Sequence, residues 1–454
     1  MDVWKGWGGA YHRRLAQIYR YLVAPGQRVL EIGCGRGDLL SALNPTFGVG
    51  LDFSREMVRR AGRRHPDLHF VLADAHAPPL QGPFDVIILS DLINDLWDVQ
   101  EVLEQVCRLA APSSRVILNT YSRLWEVPLE VSHRLGLSKP TLHQNWLTVE
   151  DITHLFYLAD LEPIRTWPEI LLPLPIPLLA PFLNRFLVRF WGFRELALTN
   201  FLVGRPRPRR PDRSKPPRVS VVIPARNEAG NIEQIFTRVP EMGAGTELVF
   251  VEGHSTDGTP EAIQEAMRKY SDRPCQLLRQ TGTGKGDAVR LGFARACGEV
   301  LMILDADLTV PPETLPRFYR ALVEQGGEFI NGVRLVYPME RQAMRFSNML
   351  GNKLFGLAIS WLVGQPVKDT LCGTKVLWRS GYQKIAANRA YFGDFDPFGD
   401  FDLLFGAAKQ HMKIVDLPVR YRQRIYGTTN IQRWKHGWLL LRMTLFALRR
   451  MKLY

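Results

Sequence analysis

The chain has 454 residues, enough for two or three domains, and its 46% hydrophobic and 23% charged residues are those of a globular protein, which excludes a disordered or low-complexity polypeptide. A net charge of +13 favours acidic partners, such as phosphorylated ligands or an anionic membrane surface, without choosing among them. Five cysteines are scattered with no C-x-x-C and no metal spacing, so no disulfide framework is expected and a reducing cytoplasm is.

The first seventeen residues, MDVWKGWGGAYHRRLAQ, contain no apolar core of a secretory signal. Residues 28–40 then read as strand, glycine-rich turn and helix, with Gly33, Gly35 and Gly37 letting the backbone turn sharply and approach a ligand. A second strand, 48–51, ends in Asp52, at the distance where an acid in such folds bonds ribose hydroxyls. A third, 69–73, ends in Asp74, and a fourth, 84–89, ends near Ser90 and Asp91. The motif E-x-G-C-G-x-G, the acid at 52, the pair Asp74-Ala75 and the run Phe84-Asp85-Val86-Ile87 resemble the class I S-adenosylmethionine-dependent methyltransferases over about residues 29–167. A nicotinamide-dependent dehydrogenase is the competing reading, disfavoured because G-x-G-x-G stands where G-x-G-x-x-G is required. The resemblance implies a Rossmann-like fold, S-adenosyl-L-methionine as cofactor, Glu31, Gly33 and Gly35 in the cofactor loop, Asp52 on the ribose and Asp74 near the adenine. His65, His76, Asp91, Asn94, Asp95, Asn119, Tyr121 and His143 are possible contacts to a methyl acceptor, but no spacing among them is diagnostic, and no base is assigned.

Residues 170–201 read as a proline-rich loop followed by an amphipathic helix, with Phe182, Leu183, Phe186, Leu187 and Phe190 set against Arg185, Arg189 and Arg194; packing on its own domain is the preferred expectation over membrane contact. The prolines and arginines of 204–217 predict an extended, semi-rigid linker, which without interleaved aromatics does not indicate nucleic acid. The expected division is therefore a first domain over 1–203, a linker over 204–217, a second domain over 218–430 and a basic amphipathic helix over 431–454.

The second half opens with a strand at 218–224 followed by Ala225-Arg226-Asn227-Glu228, and a second strand, 247–251, ends at Glu252. Gly282-Thr283-Gly284-Lys285 is a flexible loop leading into a helix, with a lysine able to reach a phosphate but without the Walker spacing. The apolar run 300–304 then meets Asp305-Ala306-Asp307, two acids on one side of an extended chain and able to hold a divalent cation. V-S-V-V-I-P-A-x-N-E, S-T-D-G-T, G-K-G-x-A, D-A-D and a late D-x-x-C-G together resemble the family 2 GT-A glycosyltransferases, nearest the polyprenyl-phosphate hexose synthases, over about residues 217–454. The resemblance implies an inverting transfer from a nucleotide-diphospho-sugar, with Pro224, Arg226, Asn227, Glu228 and Glu252 around the nucleoside and Asp305 and Asp307 holding Mg²⁺ or Mn²⁺ against the diphosphate. One departure is Glu252-Gly253, where relatives carry two aspartates, which leaves the nucleotide open.

Charge supplies further candidates. Lys285, Arg334 and Arg345 can neutralise diphosphate, and Arg345, Arg422 and Arg424 can hold an acceptor phosphate. A lipid phosphate acceptor is already an anionic nucleophile; a hydroxyl acceptor in polysaccharide or glycolipid synthesis requires a base, for which Asp369, Asp400 and Asp402 are the candidates. In the tail, Leu, Phe and Trp recur at helical spacing between arginines and lysines, equally suited to the membrane interface and to packing on the domain. The expectation is an α/β protein of two domains, a bifunctional transferase peripheral to the cytoplasmic face of a membrane, with a catalytically silent binding module in one half as the alternative.

Overall fold

The computed structural model describes residues 7–134, 144–190, 192–208, 214–324, 326–336, 346–389, 399–424, 426 and 433–452. The chain forms two compact units, Met1–Pro208 with Lys452–Tyr454, and Arg209–Met451.

In the first unit, α1 (Trp7–Leu22) leads to β1 (Arg28–Ile32), α2 (Asp38–Ala42), β2 (Phe47–Asp52), α3 (Arg55–Arg64), β3 (His69–Leu72), β4 (Phe84–Ser90), α4 (Val99–Leu109), β5 (Ala110–Tyr121), α5 (Glu126–Arg134), α6 (Val149–Leu158), β6 (Leu161–Glu169), α7 (Leu179–Arg185) and β7 (Thr199–Pro206). The seven strands run in the order β3-β2-β1-β4-β5-β7-β6. The first five pair in parallel and β7 is antiparallel to both its neighbours. The order reverses between β1 and β4, the position beside which ligands collect at strand carboxyl ends in such sheets. Helices cover the sheet by single apolar faces: α4 buries Val99, Val102, Leu103 and Val106, one stripe at helical spacing, and Asp98 caps it by accepting from the Glu101 N–H at 3.0 Å.

Two expectations for this region are corrected. The helix after the proline-rich loop spans only Leu179–Arg185, because the segment beyond it breaks into the 3₁₀ turns Leu187–Arg189 and Arg194–Leu196. The linker does not begin at 204: Gly204, Arg205 and Pro206 continue β7, where Arg205 finds a buried partner in Glu162 at 2.6 Å and Pro206 ends the strand without needing to donate. The arginine–proline alternation hid this strand.

The second unit contains β8 (Val219–Ala225), α8 (Ile232–Arg238), β9 (Thr246–Glu252), α9 (Thr259–Lys269), β10 (Cys275–Arg279), α10 (Lys285–Arg295), β11 (Val300–Ile303), α11 (Leu315–Val323), β12 (Phe329–Val333), α12 (Phe346–Val363), β13 (Lys375–Trp378), α13 (Arg379–Ala387), α14 (Asp400–Lys409), β14 (Ile414–Pro418) and α15 (Arg433–Met451). Its strand order is β10-β9-β8-β11-β13-β12-β14, with β13 antiparallel to both β11 and β12. Strand β11 is buried throughout, and its side chains alternate between the two cores: Leu301 and Ile303 enter the layer under α10, α12, α14 and α15, while Val300 and Met302 enter the layer under α8, α9 and α11. Each such side chain contributes roughly 1.5–3 kcal/mol, so a charge placed at Met302 is expected to unfold this sheet.

Helix α15 seats Leu440, Met443, Ala447 and Met451 in the first of these cores, a stripe of successive turns. Trp438, Leu441 and Leu445 stand exposed on another face, as do Leu354, Leu357 and Trp361 on α12, against which α15 packs. Among the described residues, no helix is long and apolar enough to cross a membrane.

Candidate active sites

In the first unit the glycine turn between β1 and α2 is held from β2. Gly33, Gly35 and Gly37 all have positive φ, and Gly33 N–H donates to Leu51 O at 2.8 Å. Asp52, buried at the end of β2, accepts from the Gly35 and Ser54 N–H groups, each at 2.8 Å. No atom lies within 4 Å of where a Cβ on Gly35 would stand, so the turn borders open space there. Glu31 points the other way: its carboxyl is buried and accepts from Leu40 N–H at 3.0 Å, and burial pushes its pKa up to about 8. Asp74, past the end of β3, is 69% exposed and is bound by its near neighbour His76, whose backbone and ring hold its carboxyl below the usual range.

Beyond β4 and β5 lies a cluster that sequence spacing did not reveal. Asp91, at φ 51°, accepts from the Tyr11 hydroxyl at 2.7 Å and from the Asn119 amide. Asn119 Oδ1 in turn accepts from the Tyr19 hydroxyl at 2.8 Å and from Ser90 Oγ at 3.2 Å. Burial raises the Asp91 carboxyl to about 6, although both donors oppose the shift. The Asp91 charge, followed by burial, raises the Tyr121 phenol. Asn94 is buried in support, accepting from Thr120 Oγ1 and Tyr121 N–H. Of the eight acceptor contacts considered, Asp91, Asn94, Asn119 and Tyr121 converge. His65 instead sits on Asp38 and His76 on Asp74, Asp95 faces Gln144, and His143 lies outside the described residues. Tyr11 and Tyr19 come from α1, more than 70 residues away in sequence, which is why no motif signals them.

In the second unit, strand ends bring four motifs together. Asn227 Oδ1 accepts from Thr256 N–H at 2.8 Å, and Glu228 N–H donates to Thr259 Oγ1 at 2.9 Å, so the turns after β8 and β9 are laced to one another. Glu252 closes β9, buried, accepting from Ser255 N–H at 2.5 Å with Arg279 at 3.9 Å. Pro224 is partly exposed near the end of β8, and Arg226 is exposed. Asp305 and Asp307 emerge beyond β11. The Lys285 ammonium, at the first turn of α10, is 2.6 Å from Asp305 Oδ1. A Cβ on Gly373 would lie 2.0 Å from Asp305 Oδ2 and 2.3 Å from Lys285 Nζ, so a larger residue there would displace this pair. Burial opposes the charge of Lys285, yet the negative charges of Asp305, Asp400 and Asp307 raise its pKa. Asp307 accepts from Thr309 N–H and Oγ1 on one oxygen and from Arg424 Nη2, at 2.7 Å, on the other. The same guanidinium reaches Glu228 at 3.3 Å, and burial lifts Glu228 to about 7 against that attraction.

The remaining candidates divide. Asp369 is fully buried, and Arg334 grips it by Nε at 2.7 Å, Nη2 at 2.9 Å and its backbone N–H at 3.0 Å. Burial resists ionisation there, but the guanidinium prevails and holds the carboxyl below the usual range. Asp402 is bound by Arg389 at 3.0 Å. Asp400, at the start of α14, lies 3.7 Å from the buried Lys375 ammonium, and among the described residues its Oδ1 receives no hydrogen bond. Arg422 is exposed, its backbone N–H donating to Thr309 O, and Arg345 lies outside the described residues.

Residues 8–166 match the family model for a methyltransferase domain, and residues 220–386 match that for glycosyl transferase family 2. The two halves are a methyltransferase domain and a family 2 glycosyltransferase domain. The glycosyltransferase half is similar to a dolichol-phosphate mannosyltransferase of Pyrococcus furiosus, 30% identical over 47% of this chain and 59% of that one. It is also similar to an undecaprenyl-phosphate 4-deoxy-4-formamido-L-arabinose transferase of Edwardsiella ictaluri, 28% identical over 46% of this chain and 61% of that one. The chain thus spans about three fifths of the length of these curated relatives. Among solved structures, glucosyl-3-phosphoglycerate synthase of Mycobacterium tuberculosis aligns over 52% of this chain and 81% of its own at 18% identity and TM-score 0.40. An S-adenosylmethionine-dependent methyltransferase of Mesorhizobium loti aligns over 44% and 100% at 17% identity and TM-score 0.34.

Proposed function

We propose that the chain is a bifunctional enzyme, transferring a methyl group from S-adenosyl-L-methionine in its first half and a sugar from a nucleotide-diphospho-sugar to a polyprenyl phosphate in its second, with inversion. The observation that carries the second activity is the ring of Lys285, Asp305, Asp307, Arg424 and Glu228 beyond the strand ends. A pair of carboxylates one residue apart beyond a strand end suits a Mg²⁺ or Mn²⁺ ion that completes its shell with diphosphate oxygens. Asp305 and Asp307 would hold that ion, which supplies positive charge to the departing nucleoside diphosphate. Lys285 adds a cation on the same side. Arg334, fixed by Asp369, forms a rigid wall with Tyr421, over whose ring its guanidinium lies at 5.1 Å. Pro224, Arg226, Asn227, Glu228 and Glu252 border the nucleoside, and Arg345, Arg422 and Arg424 are the candidates for the acceptor phosphate; Arg424, bound to Asp307, would have to exchange partners to serve it.

A lipid acceptor agrees with the exposed apolar faces of α12 and α15, where Leu357 and Trp438 are 70% and 69% exposed beside Lys353 and Arg442. These faces would rest on the cytoplasmic surface of a membrane. One observation favours a second reading, transfer to a hydroxyl: Asp400, 3.7 Å from the Lys375 ammonium and with an oxygen that receives no hydrogen bond among the described residues, is the candidate carboxylate to take a proton.

In the first half, Gly33, Gly35 and Asp52 would hold the cofactor, whose bound form supplies an electrophilic methyl group, while Glu31 braces the turn from beneath and Asp74 lies at the adenine end. Asp91, set by Tyr11 and Asn119, is the carboxylate nearest the role of proton acceptor. Titration calorimetry on the full chain tests the pair of activities: S-adenosylmethionine and a sugar nucleotide with Mn²⁺ should each bind at one site with additive heats. Asp52→Ala should abolish only the first and Asp307→Ala only the second; loss of both in either variant would contradict two independent sites.

A further inference from the structure

In the second unit, the turn over residues 369–373 is held from below by a buried polar cluster that the chemistry described above does not use. At its centre is Lys375, the first residue of β13, which is fully buried. An ammonium taken out of water is costly unless acceptors surround it. Lys375 Nζ donates to Cys372 O at 2.6 Å and to Asn331 Oδ1 at 3.0 Å, with Asp400 Oδ1 at 3.7 Å. Asn331, buried on β12, donates its amide to Asp369 O at 2.9 Å and to Asp416 Oδ1 at 2.8 Å. Asp416, on β14, accepts through its other oxygen from Lys368 N–H at 2.7 Å. Side chains of three neighbouring strands therefore grip the turn at Lys368, Asp369 and Cys372, and they are bonded to one another through Asn331.

The grip at Cys372 reaches the site in one step. Cys372 O belongs to the planar peptide unit that ends at the Gly373 Cα, so fixing that oxygen fixes the α-carbon. Gly373 in turn lies so close to Asp305 Oδ2 and Lys285 Nζ that a Cβ on it would collide with both. At the other end of the turn, Asn331 holds the backbone of Asp369, whose carboxylate holds Arg334. We infer that Lys375 is a positioning residue for sugar transfer: its buried ammonium sets the turn so that Gly373 supports the Lys285–Asp305 pair. Being fully buried, Lys375 is not placed to touch a ligand, and its effect passes through Lys285 and Asp305. The packing of β13 does not itself call for a cation, since apolar residues of similar volume commonly replace buried charges without loss; the carbonyl that the ammonium holds is what calls for it. The role in transfer rests on the sugar-transfer reading, whereas the coupling of Lys375 to the Lys285–Asp305 pair does not.

The test is a double-mutant cycle on the full-length protein with two readouts. One is Mn²⁺ affinity without nucleotide, by electron paramagnetic resonance; the other is turnover with undecaprenyl phosphate, Mn²⁺ and a panel of UDP- and GDP-sugars. Lys375→Met should shift Mn²⁺ affinity more than about threefold, and should lower kcat more than about tenfold with KM for the sugar nucleotide held within about threefold. In a Lys285→Ala background the same substitution should lose most of its effect on kcat, falling below about threefold, because the group through which it acts is gone. Thermal unfolding is followed in parallel. If Lys375→Met does not fold, Asp416→Asn, at a partly exposed position and keeping one acceptor oxygen, carries the same cycle with an expected kcat loss of about threefold. Unchanged Mn²⁺ affinity, or losses in kcat that multiply in the double variant, would overturn the assignment. A wild type that transfers no sugar from any donor would instead refute the sugar-transfer reading, and the Mn²⁺ measurements alone would decide whether Lys375 positions the pair.

Discussion

The Lys285 ammonium lies 2.6 Å from the Asp305 carboxylate, joining the glycine loop before α10 to the acidic tripeptide beyond β11. The pair is about a third exposed on each side, so its worth to stability is modest, and its meaning lies in charge placement. Without a ligand the lysine neutralises acids that would otherwise repel. Lys285→Ala is therefore expected to tighten Mn²⁺ binding in the absence of sugar nucleotide, read by electron paramagnetic resonance, while sugar transfer falls by about 100-fold or more as a diphosphate cation is lost. Unchanged transfer would remove Lys285 from the site.

Asp369 and Arg334 form a different kind of pair. Both are buried, and the carboxylate is engaged by three nitrogen donors of one residue. Asp369→Ala should cost about 3–5 kcal/mol in urea unfolding, because a buried guanidinium is left alone. Since the folded pKa is depressed, the stability this pair adds is present above the unfolded value and is lost as pH falls through the folded one. The wild type should therefore weaken at acid pH more than Asp369→Asn does. If Asp369 were a base, Asp369→Asn would instead lose turnover and, with it, the acidic limb of the pH profile that protonation of a base sets.

Glu31 has the opposite sign. Its pKa rises from 4.5 unfolded to about 8 folded, so its contribution is fully present below about pH 4.5 and is lost as pH climbs towards 8. Glu31→Gln keeps an acceptor for Leu40 N–H and removes the buried charge. It should match the wild type near pH 5 and exceed it at pH 8 by more than about 1.4 kcal/mol, the worth of one pKa unit. Equal unfolding midpoints at pH 8 would show that Glu31 is not buried as a carboxylic acid.

The parallel strands and the acids at their ends were legible in sequence because a strand buried on both faces is written as a short apolar run, and its carboxyl end as the first polar residues after it. Val300 to Asp307 illustrates both. Three things were not legible. Tyr11 meets Asp91 across 80 residues, through packing of α1 that no local pattern encodes. Strand β7 carries Gly, Arg and Pro at its end and reads as linker, since its arginine is satisfied only by a glutamate on the neighbouring strand. The pairing of Arg424 with Asp307 and Glu228 likewise arises from a return of the chain after β14, so the charge pattern alone assigned that arginine to an acceptor phosphate.

The exposed faces of α12 and α15 yield a prediction with little folding risk, as these side chains already face solvent. Replacing Leu357, Trp438 and Leu445 together with serine should leave thermal stability within about 0.5 kcal/mol per site while lowering cosedimentation with phosphatidylglycerol vesicles more than about tenfold. Retained cosedimentation would show that these faces do not meet the membrane.

The central claim is metal-assisted sugar transfer onto a lipid phosphate, and the measurement closest to it is mass spectrometry of the products formed from polyprenyl phosphate, a panel of sugar nucleotides and Mn²⁺ or Mg²⁺. A species heavier than polyprenyl phosphate by one sugar residue should appear with the wild type, and it should vanish with chelator or in Asp307→Ala. A sugar attached to polyprenyl phosphate equally well with chelator present or with Asp307 removed, or sugar found only on hydroxyl acceptors, would contradict it.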